Sequence, residues 1–94
     1  MDFQSIELMN NELIHSFELM VEGKRSFIDY QKKNNTVSLI HTEVPRELRG
    51  KGIAEILVEK TFYYLEEHKL KAVPLCSYIR DFIKDHPEWN RIVA

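Results

Sequence analysis

The chain holds a single cysteine, three glycines and three prolines in 94 residues. With Cys76 alone, no intramolecular disulfide can form, so stability has to come from a packed core. No apolar run approaches the ~20 residues that a membrane-spanning helix needs. The first residues lack the basic start and apolar core of a secretory signal, so an intracellular, cytoplasmic protein is expected. The four histidines, at 15, 41, 68 and 86, lie too far apart for a local metal motif, and we expect no metal site. Charge of one sign is missing too. Thirteen basic against fifteen acidic residues leave a formal net charge of −2, which gives no support for a nucleic-acid role.

What is present argues for a folded domain. The apolar fraction is 44%, with five phenylalanines, four tyrosines and one tryptophan, which excludes a disordered chain. Its length suits one domain spanning residues 1–94, burying roughly 60–65% of its unfolded surface.

Residues 1–12 give a mixed signal, in which Ile6, Leu8 and Met9 suit a short helix or an extended lead-in and Asn10-Asn11 suits a turn. From His15 the apolar spacing becomes two. Phe17, Leu19 and Val21 share one side of a strand, and Gly23 supplies a tight hairpin turn because glycine reaches positive φ cheaply. A second strand over about 25–31 sets Ile28 and Tyr30 against Phe27, and Lys32–Asn35 forms the next turn. A third strand, 36–44, alternates Val37, Leu39 and His41 with Ser38, Ile40 and Thr42 until Pro45 removes a donor.

Helical spacing follows. Ile53, Leu57, Thr61, Tyr64, Leu65 and His68 form one stripe, with Ala54 and Val58 beside it. Residues 71–76 are a strand that Pro74 makes an edge or pulls from its neighbour. Ser77 caps a last helix with Ile79, Phe82, Ile83 and His86 inward, ended by Pro87. The order β-β-β-α-β-α predicts an α/β fold with a mixed α+β sheet. Three antiparallel strands precede a βαβ crossover to a splayed parallel strand, and a short C-terminal helix follows.

Local geometry and charge converge at Glu47-Leu-Arg-Gly-Lys-Gly-Ile-Ala54, between the third strand and the helix. Two glycines one residue apart, flanked by Arg46, Arg49 and Lys51, can turn several backbone N–H groups toward one anion at a helix N-terminus. It is not a dinucleotide fingerprint, because Glu55 stands where the third glycine would fall. It is not a Walker A loop either, because no Gly-Lys-Ser/Thr follows. A plain tight turn remains the alternative reading of the glycines.

The segment resembles the coenzyme A pyrophosphate loop of the GCN5-related N-acetyltransferases, Gln/Arg-x-x-Gly-x-Gly/Ala, here Glu47-Leu-Arg-Gly-Lys-Gly52. With His41-Thr-Glu-Val-Pro45, Val73-Pro-Leu-Cys-Ser-Tyr78 and His86-Pro87, the chain from about His15 onward is similar to a small, minimal acetyltransferase-like subfamily of that superfamily. The resemblance implies a minimal acetyltransferase fold and acetyl-CoA or coenzyme A as cofactor. It implies that backbone amides around Arg49, Gly50, Lys51, Gly52, Ile53 and Ala54 hold the pyrophosphate. Pantetheine would lie beside Thr42, Glu43 and Val44 in a cleft between the third and fourth strands. Glu47 departs from the first signature position. Beside full-length members the chain is also short of the helices and strands that wall the acceptor pocket.

Acetyl transfer needs a deprotonated amine, a positioned thioester and help for the departing thiolate. Glu43, at the end of the strand lining the cleft, is the candidate base, and His41 shares its strand side by parity and can shuttle a proton. Cys76 lies near a helix N-terminus that favours a thiolate, as acetyl carrier or cleft lining. Full-length relatives use a tyrosine to protonate the thiolate, and Tyr78 matches that role. Each has a structural alternative, as an exposed carboxylate, a core histidine, an inert thiol or a packing ring. The expected function is acetyl transfer to a small-molecule or protein amine by a monomer or weak homodimer. The alternatives are a coenzyme A-binding or interaction module with little turnover, and a dimerising domain whose glycine loop merely caps a helix.

Overall fold

The computed structural model describes residues 2–94. Five strands form one sheet in chain order: β1 (Met9–Asn11), β2 (Ser16–Val21), β3 (Lys24–Lys33), β4 (Thr36–Glu43) and β5 (Lys71–Pro74). The first four are antiparallel neighbours, and β5 runs parallel to β4. The crossover between them is helix α1 (Ile53–Glu67), and α2 (Ser77–Asp85) follows β5. This is the mixed sheet that the periodicities predict, with one strand more.

The period-two pattern does what it implies. Phe17, Leu19 and Val21 are buried on one face of β2, and Ile28 pairs with Phe17 to continue that face into β3. The hairpin turns at Glu22 and Gly23, both at positive φ (53° and 75°), which matches the twist of the flanking strands. Onto this face α1 lowers Ile53, Leu57, Val58, Thr61, Phe62 and Leu65. Thr61 buries its hydroxyl by donating to Leu57 O at 2.8 Å, so the polar group costs little.

Phe62 joins the helices. Its ring lies 5.8 Å from Phe82 of α2 and 5.2 Å from Trp89. Trp89 and Ile92 reach the core from a 3-10 helix, Pro87–Ile92, that the sequence pattern did not reveal. The other face of the sheet carries Met20, exposed, and Arg25, which covers Ser16 by donating to its Oγ at 2.6 Å.

Three local expectations are corrected. Asn10 and Asn11 are strand, not turn, and the turn falls at residues 12–15. The Asn10 amide accepts from the Tyr30 hydroxyl at 2.7 Å and donates to the Tyr64 hydroxyl at 3.0 Å, which offsets its poor β propensity. His68 is exposed, not on the buried stripe, because α1 ends at Glu67 and the histidine sits at the C-cap. Ser77 is the first helical residue, and the N-cap is Cys76, which makes no side-chain cap bond.

Candidate functional site

The site begins where β4 and β5 part. Their register holds from Thr36–Lys71 to Leu39–Pro74. Pro74 has no N–H to give. The amides of Leu75 and Cys76 both turn to Leu39 O, at 3.0 Å each, and β4 then runs on to Glu43 without β5 beside it.

The same point carries a β-bulge. Tyr30 pairs with Leu39 and Asp29 with His41, so Ile40 is an extra residue in β4. One extra residue reverses side-chain parity. The expectation that His41 continues the Val37–Leu39 side is therefore corrected. Beyond the bulge His41 and Glu43 share the face of Asp29 and Phe27, away from the core, while Thr42 joins Ile28 on the core side.

Because both lie past the bulge, His41 and Glu43 stay on one side, with Nε2 and Oε2 2.7 Å apart. Arg49 adds a cation 3.9 Å from Glu43 Oε1 and donates its Nε–H to Val44 O at 3.1 Å. This trio is open to solvent, at 56%, 44% and 63% side-chain exposure, so it is free to meet a second molecule.

A second group forms on the core side of β4. The Cys76 thiol donates to Thr42 Oγ1 at 3.5 Å. Burial alone would raise the thiol, but hydrogen bonding with the Thr42 side chain and with the backbone of Ile79 and Tyr78 outweighs it and holds Cys76 below its ordinary pKa. Tyr78 moves the other way. Burial first, then the negative charges of Glu55 and Cys76, push its phenol above the usual value, so it keeps its proton.

Between these groups and α1 lies the glycine loop. Leu48, 1% exposed, anchors a 3-10 turn (Arg46–Leu48) in the core, and Gly50 and Gly52 follow at φ 81° and 76°. The amides of Gly50, Lys51, Gly52, Ile53, Ala54 and Glu55 find no acceptor among the described residues, and no side chain caps α1. These orphan donors at a helix N-terminus suit an anion. The loop encloses a cavity of about 220 Å3 lined by Val44, Arg49, both glycines, Ile53 and Ala54, with Tyr78 at its side. Lys51 is exposed and lines none of it, nor does Thr42, which is turned to Cys76.

The sequence pattern missed Leu48 as the anchor and Glu55 as a neighbour of Tyr78. Glu55 had a signal, since a carboxylate three residues after a helix N-cap looks back toward that cap. Among the described residues no helix is long and apolar enough to cross a membrane.

The model of the family described as GCN5-related N-acetyl-transferase matches residues 16–92. The chain belongs to that family. Protein NATD1 of Xenopus tropicalis is 44% identical over 52 residues, covering 55% of this chain and 48% of that protein. Human NATD1 is 43% identical over 51 residues, covering 54% and 45%. The chain thus spans about half the length of the curated relatives it matches. An NMR structure of a GCN5-like protein from Staphylococcus aureus superposes with a TM-score of 0.72 at 22% identity, covering 95% of this chain and 88% of that one. That likeness is one of fold. In this acetyltransferase family member, Val44, just past the end of β4, and the glycine loop line one cavity.

Proposed function

We propose that the chain binds acetyl-CoA and transfers its acetyl group to an amine by direct attack in a ternary complex. The observation that carries this is the row of unpartnered amides from Gly50 to Ala54 beside the opening between β4 and β5. Two glycines with open space at both Cβ positions let a diphosphate approach the backbone without a clash. Arg49 adds a cation at the rim.

Acetyl-CoA, when bound, supplies a thioester carbonyl as electrophile. The protein has to take one proton from the acceptor ammonium before attack, and Glu43 is the base, with His41 bonded to it to pass the proton on. The acceptor reaches this pair from the open face of the sheet, where the bulge puts it. Tyr78, held protonated by burial and by Glu55, donates a proton to the departing thiolate. Cys76 lines the cleft beside Thr42. A coenzyme A-binding module with little turnover is the second reading. It is favoured by one observation, that Tyr78 lines the glycine-loop cavity whereas Glu43 does not.

Calorimetry with acetyl-CoA and coenzyme A tests the reading. Micromolar binding by the wild-type chain, lost in Gly52→Trp, is the expected result, and no binding up to millimolar cofactor overturns both readings. Transfer to a panel of amines then separates them. Glu43→Gln should bind cofactor normally and lose transfer, and an acetyl adduct accumulating on Cys76 during turnover would contradict direct attack.

A further inference from the structure

A cavity larger than that of the glycine loop lies elsewhere in the fold. About 500 Å3 opens at the other end of α1, between its last turn and the start of β4, within the range of small-molecule pockets. The 15 residues of α1 place it roughly 20 Å from the loop.

Its floor is a polar relay. Asn10 joins the hydroxyls of Tyr30 and Tyr64, accepting from the first and donating to the second. The Tyr64 O–H is left without an acceptor among the described residues, so it is a donor available to the cavity. Each tyrosine is extended by a histidine ring. His68 stacks on Tyr64 at 3.9 Å and 22°, and His15 stacks on Tyr30 at 5.6 Å and 29°. His15 holds this place at φ 52°, a conformation that non-glycine residues adopt at a cost.

Two donors in the lining have no acceptor among the described residues, the Lys32 ammonium and the Tyr64 hydroxyl. Lys32 lines it with no ion pair among the described residues, and Glu12 is the one carboxylate in the lining. No group of three or more metal-ligating side chains gathers there or elsewhere among the described residues. Val37 and Leu70 complete an apolar wall.

We propose that this cavity is a second ligand site, separate from the glycine loop, that takes a small aromatic acid. A planar ring meets the exposed imidazoles of His15 and His68, which stack on the two tyrosines, and a carboxylate meets Lys32 and the Tyr64 hydroxyl.

An amide NMR titration with benzoate tests this, with benzamide and cyclohexanecarboxylate as comparison probes. Benzoate should shift the amides of Asn10, His15, Tyr64 and His68 saturably and leave Gly50–Ala54 unmoved. Benzamide, lacking the charge, and cyclohexanecarboxylate, lacking the flat ring, should each bind more weakly. Lys32→Glu, on an exposed side chain, should keep the unfolding temperature and weaken benzoate about tenfold or more, a loss of about 1.4 kcal/mol. Tyr64→Phe should also weaken it, at the cost of the bond that Asn10 donates to that hydroxyl. No saturable shift, equal affinity for the three probes, or unchanged binding by Lys32→Glu would each overturn the proposal. None of these readouts depends on coenzyme A.

Discussion

Replacing Gly52 by alanine puts a methyl group into open space, since no heavy atom lies within 4 Å of its Cβ position. Any loss of stability therefore comes from the backbone alone. Gly52 is at φ 76° and is the N-cap of α1. Holding an L-residue in that region costs about 1–2 kcal/mol. For a domain of this size each kcal/mol lowers Tm by about 4–8 °C. Relief of the strain toward negative φ turns the following amides away from the loop, and losing one charge-assisted hydrogen bond costs about 1.5–3 kcal/mol of coenzyme A affinity, or roughly 10- to 150-fold. Gly23→Ala is the control. It meets the same open space at φ 75°, so it should cost similar stability and leave cofactor affinity unchanged. Thermal unfolding and calorimetry on both variants decide the matter. Equal stability losses with equal, undiminished affinities would refute the amide cradle, and no stability loss in either would refute the strain argument.

Phe62→Ala should cost about 3–5 kcal/mol in denaturant unfolding, because the fully buried ring joins α1 to Phe82 and Trp89. Thr42→Val removes the side-chain bond that helps hold the Cys76 thiol low, so alkylation at neutral pH should slow and its pH profile move upward. An unchanged profile would assign the low value to the helix backbone instead. Glu66 has its pKa lowered chiefly by the hydrogen bond from Arg91, so the stability this pair adds is present at neutral pH. It is lost as pH falls through the lowered folded-state value. The stability difference between wild type and Glu66→Gln should therefore close in acid.

Strands and helices built on one clear period were legible in the sequence. Phe17, Leu19 and Val21 declared β2, and the spacing from Ile53 to Leu65 declared α1. β1 was not, because three residues with two asparagines carry no alternation, and only the distant Tyr30 and Tyr64 hydroxyls make Asn10 a strand residue. The bulge at Ile40 was hidden for a similar reason. The β-branched and apolar run through β4 fits either register, and pairing with β3 decides which. That one residue moved His41 and Glu43 to the open face while leaving them together. The glycine loop was readable because Gly50 and Gly52 are local conformational requirements, whereas its anchoring by Leu48 is a matter of tertiary packing.

The central claim is that the amides at the start of α1 grip the cofactor diphosphate, and an amide NMR titration with coenzyme A addresses it most directly. The account predicts saturable shifts at Gly50, Lys51, Gly52, Ile53 and Ala54, with smaller ones along Thr42 to Val44 and none at Asn10 or Tyr64. Shifts centred elsewhere, or none at millimolar coenzyme A, would contradict it.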